Sequence, residues 1–106
     1  MKNIMKSVEL EMNLKQLDNE IKEYKTKVDI QLAVIDINYK GDRLRDMDLI
    51  KELTVTMDNL LIQANKIKDI EFQAIKINDY ELYWKCEQKI ANVIETMEYI
   101  RTTYMF

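Results

Sequence analysis

The chain has 106 residues, 47% hydrophobic and 33% charged, with a net charge of −3, a balance that fits one folded domain rather than a disordered segment. Its lysines are interleaved with acids, which disfavours a nucleic-acid binder, because such proteins draw most of their non-specific affinity from a basic excess that neutralises phosphate. One glycine and no proline are too few turn formers for an all-β fold, so the composition points to a few long helices.

The first predicted helix covers about residues 3–39. Leu10, Leu14, Leu17, Ile21, Tyr24, Val28, Leu32, Ile35 and Tyr39 recur at steps of three and four. At about 100° per residue they fall within roughly 40° of one line, a narrow seam of the coiled-coil kind. Acid-then-base pairs at i,i+4 (Glu11–Lys15, Asp18–Lys22, Glu23–Lys27) support an exposed helix. Val28 to Val34 also alternates as a strand would, but length and the upstream heptads favour helix. A second apolar set lies opposite the seam: Ile30, Val34 and Ile37, with Ala33 beside them, and Met5, Val8 and Met12 nearer the start. Between these groups the same face is polar, at Gln16, Asn19 and Glu23.

Gly41 is the expected end of this helix, in the left-handed conformation that a helix C′ residue adopts. Asp42 or Asp46 can cap the second helix, predicted over about 44–75. Its seam runs Leu49, Ile50, Leu53, Met57, Leu60, Leu61, Ala64, Ile67, Ala74 and Ile75, with Leu44, Val55 and Ile62 off it. The basic stretch Lys40–Arg45 reads as a solvated turn.

No glycine or proline follows residue 42, so the second and third helices could in principle run on as one rod of about 90 Å at 1.5 Å per residue. Asn78-Asp79-Tyr80-Glu81 argues for a break, reading as a capping box with Asn78 at the N-cap and Glu81 at N3. The third helix is predicted over about 79–104, with Tyr83, Cys86, Ile90, Val93, Ile94, Met97, Ile100 and Tyr104 on its stripe. Trp84 falls off that stripe beside Tyr80 and Ala91. The chain closes on Tyr104, Met105 and Phe106.

The fold expected is therefore all-α: a long antiparallel helical hairpin plus a third helix, a coiled-coil-like three-helix bundle assembled as an oligomer. The parts for most chemistry are missing. There is no histidine, which removes Ser-His and Cys-His nucleophiles and His-ligated metal sites. Cys86 is alone and on an apolar stripe, where a buried, inert thiol is expected. No glycine-rich loop exists to hold a phosphate. Asp42, Asp46 and Asp48 lack the spacing of a calcium loop and read as caps. The carboxylate pairs Glu20/Glu23 and Glu95/Glu98 read as solvated helix surface. Of seven methionines, Met57 and Met97 are placed in the core. Neither enzyme activity, a metal nor a cofactor is expected.

Folding the hairpin at Gly41 leaves the third helix too short to reach the tip, ending about level with Asp29 or Ile30. Apolar residues there need cover from a second copy or from another protein. The expected interface is Ile30, Ala33, Val34, Ile37 and Leu44 at the tip, with Trp84, Tyr104 and Phe106 as further anchors. The reading is a small non-catalytic protein-binding module (an adaptor, chaperone or inhibitor) that binds a protein partner, itself, or both. A structural coiled-coil oligomer and a small nucleic-acid-associated regulator are the alternatives. A membrane role is not expected, since the longest aliphatic run is Leu32–Ile35. A single cysteine and no signal-peptide-like run make the cytoplasm the expected location. Abundant Ile, Lys and Asn fit an AT-rich genome, such as that of a phage or mobile element.

Overall fold

The computed structural model describes residues 4–38 and 47–104, which form α1 (Ile4–Asn38), α2 (Met47–Lys76) and α3 (Tyr80–Tyr104), with a tight turn at residues 77–79 between α2 and α3. Among the described residues there is no strand. Gly41, Asp42, Leu44, Asp46 and Phe106 lie outside the described residues, as do the side chains of Ile37 and Tyr104.

One apolar cluster joins the helices. It takes Leu10, Leu14, Ile21, Val28 and Ile35 from α1, Leu82, Cys86, Ile90, Val93 and Ile100 from α3, and a longer set from α2. The α2 set runs from Leu53 through Met57, Leu60, Ala64, Ile67 and Ile70 to Ala74. The helix in the middle needs the widest apolar arc, because α2 packs along both α1 and α3 while α1 and α3 meet only sparsely. The result is long and thin, 60 × 20 × 15 Å. Its radius of gyration of 16.9 Å exceeds the ~13 Å of a compact 100-residue domain.

This layered arrangement corrects three seam assignments. Leu61, Ile75 and Ile94 are nearly half exposed, whereas Ile70 and Leu82 are buried. Leu61 and Ile94 lie along the outer edge of the α2–α3 contact, and Ile75 shares the α2 stripe of Leu61. A side chain at that edge has a helix on one side and solvent on the other. Ile70 instead borders α1.

The α2–α3 break forms one residue out of register with the capping box expected. Asn78 has φ 59°, a left-handed conformation that Asn tolerates better than most residues. The Asn78 N–H donates to Ile75 O at 3.0 Å and the Asp79 N–H to Ala74 O at 2.9 Å, the two bonds of a Schellman C-cap. Asn78 therefore closes α2. Asp79 opens α3 as its N-cap: the Leu82 N–H donates to Asp79 Oδ1 at 3.2 Å. Leu82 thus occupies N3, and Glu81 is an acid in the first turn, where the helix dipole favours it. A separate α2 and α3 replaces the continuous rod.

Between the parallel α1 and α3, Lys85 Nζ reaches Glu11 at 3.5 Å and Lys89 Nζ reaches Asp18 at 3.0 Å. Asp18 also takes the expected partner Lys22 at 3.5 Å, while Glu11 is turned across the bundle. Extending the register of these pairs along the helices brings the end of α3, at Tyr104, level with about Ile30 to Ala33. Among the described residues, the parts of α1 and α2 beyond that point have no third helix beside them.

Candidate interaction surfaces

Most exposed apolar side chains fall into two organised sets, while Val55, Ile62 and Tyr99 are exposed outside both. The first is the back of α1. At about 100° per residue, Met5, Val8, Met12 and Ile30 each lie roughly 140–160° or more from the Leu10–Leu14–Ile21 seam. All four are exposed, Met5 at 85% and Ile30 at 61%. Ile4 and Ala33 are exposed near them, at the two ends of a face whose middle is polar. Because this face points away from α2, a longer third helix would not cover Ile30. Val34 is half-buried and engaged within the chain, so it contributes less free surface than Ile30 and Ala33.

The second set lines the outer α2–α3 groove. On α2, Leu61, Phe72 and Ile75 follow a spacing of i, i+11, i+14, and on α3, Tyr80, Trp84 and Ile94 follow i, i+4, i+14, each a single helical stripe. The stripes meet at the end of the groove away from the turn. Leu61 and Ile94 line one recess with Met57, Met97, Glu98 and Arg101. Towards the turn, Glu71 on α2 contacts Glu87 on α3, and Tyr83 packs edge-on against Trp84 with ring centroids 6.2 Å apart. Lys76 Nζ lies 4.6 Å above the Phe72 ring. Trp84, singled out from the sequence, is thus exposed but far from Ile30: Trp84 is near the level of Glu11, some 28 Å along α1 at 1.5 Å per residue. Phe72 and Tyr80 were not among the expected anchors, although the 61–72–75 and 80–84–94 spacings carry the signal.

The ionisable groups act on stability. Burial raises the Glu71 carboxyl above its ordinary 4.5, and the neighbouring Glu87 raises it further against the pull of Lys68. One buried Glu71 carboxylate oxygen has no hydrogen-bond partner within the chain. A raised folded-state value means stability that is present below 4.5 and lost as pH climbs through the folded value. Glu71→Gln keeps the contact, supplies the missing donor and removes the charge. Its expected result is a higher melting midpoint at neutral pH and a flatter pH profile above 4.5. A lower midpoint at neutral pH would show that the carboxylate pair is not a strain on the hairpin.

Asp18 behaves oppositely. Burial pushes it up, but the hydrogen bond and charge of Lys89, helped by Lys22, win and hold it below 3.8. That stabilisation is lost only as pH falls through its lowered value. Tyr83 is raised chiefly by the charge of Glu87. Cys86 is fully buried, and burial, then Glu71, Glu87 and Asp79, push its thiol up to about 12. It stays protonated at neutral pH and is a packing group.

Among the described residues, no group of three His, Cys, Asp or Glu side chains could hold a metal ion. No described helix is long and apolar enough to cross a membrane. No protein family, no curated protein and no solved structure matches the chain.

Proposed function

We propose that this chain is a small non-catalytic protein-binding module, an adaptor, chaperone or inhibitor, that grips a partner protein along the back of α1. The observation that carries this reading is the double-sided character of α1. One face is fully used against α2, and the opposite face still presents Ile4, Met5, Val8 and Met12 at one end and Ile30 and Ala33 at the other. Burying a large aliphatic side chain is worth ~1.5–3 kcal/mol, so leaving this face in water forgoes several such contributions. Apolar groups clustered at both ends of a helix with a polar centre suit an extended partner. The scarcity of nucleophiles, bases and metal ligands supports a role without catalysis.

The test is quantitative capture of partners from native lysate by the immobilised chain. Ile30→Asp with Ala33→Asp, and separately Val8→Asp with Met12→Asp, are expected to weaken capture roughly tenfold or more, about 1.4 kcal/mol, with the helical circular dichroism unchanged. Capture undiminished in both variants would remove α1 as the binding face.

A further inference from the structure

We propose that two copies of this chain associate through their outer α2–α3 grooves, related by a two-fold axis near Ala91, so that Trp84 of each copy enters the recess between Leu61 and Ile94 of the other. This goes beyond partner binding by α1, uses a different face, and stands or falls separately.

Three observations lead there. The first is area. Phe72, Tyr80 and Trp84 are 60%, 59% and 64% exposed, and Leu61, Ile75 and Ile94 are 46%, 44% and 44% exposed. At roughly 200 Å² per large side chain, that is on the order of 600 Å² of apolar surface on one face. This is the upper end of the largest patch on a typical monomer. With the polar rim of Lys68, Glu98 and Arg101 added, it approaches the ~800 Å² that each partner contributes to a standard interface.

The second is shape. The groove is bulky at one end, where Phe72, Tyr80 and Trp84 project, and hollow at the other, where the recess holds about 180 Å³. A cavity of about 150 Å³ accepts a benzene ring, so this one has room for an aromatic side chain. The third is symmetry. Ala91, exposed and small, lies at the middle of the α3 stripe between Tyr80 and Arg101. Trp84 lies two turns before Ala91, and Glu98, on the wall of the recess, lies two turns after it. A two-fold axis at Ala91 therefore brings bulge to hollow twice over, which is what a self-complementary contact requires. It also lets the backbones approach where the side chain is shortest.

Light scattering of the full chain at about 100 μM, a hundredfold above a Kd of ~1 μM, is expected to give twice the 12.8 kDa chain mass. Phe72→Lys combined with Trp84→Glu is expected to give the single-chain mass with helicity intact, while Ile30→Asp with Ala33→Asp stays dimeric. A monomeric natural chain overturns the proposal and leaves the groove to a foreign helix. A dimer that survives the groove variant, or is lost in the α1 variant, also overturns it, without touching the capture result for α1. If the groove variant loses its helical signal, Ala91→Cys decides. Oxidation should cross-link that chain to a covalent dimer and should leave Thr26→Cys, on the back of α1, uncross-linked. Failure of the Ala91→Cys chain to cross-link rules the arrangement out.

Discussion

Leu60→Ala is expected to cost ~2–5 kcal/mol, the range for emptying a packed leucine site. Leu60 is fully buried in the middle of α2, the helix that packs against both neighbours. A molecule whose smallest dimensions are 20 and 15 Å has no further layer from which side chains could move in to fill the gap. Against a total stability of ~5–15 kcal/mol for a domain of ordinary size, the loss is a large share, and a measurable unfolded fraction at ambient temperature is the expected outcome. The adjacent residue gives the control. Leu61 is 46% exposed, so Leu61→Ala removes only part of a transfer contribution and leaves no cavity, for a cost of ~1 kcal/mol or less. Urea unfolding followed by circular dichroism reads both. Equal losses at the two positions would mean that the layered packing around α2 is wrong.

That contrast also marks how far the sequence reaches. The helical segments and the inner seam of α1 follow from apolar spacing, because steps of three and four in a chain with one glycine and no proline leave no other regular structure. Their division into three rests on Gly41 and on the turn chemistry of Asn78 and Asp79. The width of each apolar arc does not follow. Leu60, Leu61 and Ala64 look alike as apolar residues near one line, and only the presence of two neighbours around α2, on particular sides, sends Leu60 inward and Leu61 to an edge. Thr56 and Gln63 are buried on α2 and carry no apolar signal. The Thr56 hydroxyl escapes the cost of burial by donating to Glu52 O at 3.2 Å, a local bond that periodicity cannot reveal. Of the candidate interface, Ile30 and Ala33 were legible because they break the α1 seam outright. The groove was harder to see, since Phe72 and Ile75 face solvent only once the side of α2 that α3 occupies is known. The turn was legible as a break but not in register, because Asn78 and Asp79 can each serve as a cap. Tolerance of positive φ favours Asn for closing α2, which leaves the carboxylate to open α3.

The second large effect expected is at that turn. Asp79 is 2% exposed and its carboxylate accepts the Leu82 N–H, so Asp79→Ala removes an N-cap and leaves a buried donor unmatched, for ~1–2 kcal/mol. Adding Asn78→Ala places a Cβ-bearing residue with no side-chain amide at φ 59°, worth ~1–2 kcal/mol more. The double variant has no local signal left to break the helix, and its chain from Met47 to Tyr104 could extend to about 87 Å at 1.5 Å per residue. Opening the hairpin would, however, expose Leu82, Cys86, Ile90, Val93 and Ile100 together with their α2 partners. At ~1.5–3 kcal/mol for each large side chain, that burial outweighs the lost caps several-fold. The double variant should therefore melt earlier yet keep the shape of the natural chain, with a maximum dimension in solution near 60 Å. A maximum dimension near that of the extended rod would show instead that two residues of turn chemistry, rather than the shared α2–α3 core, hold this fold in its bent form.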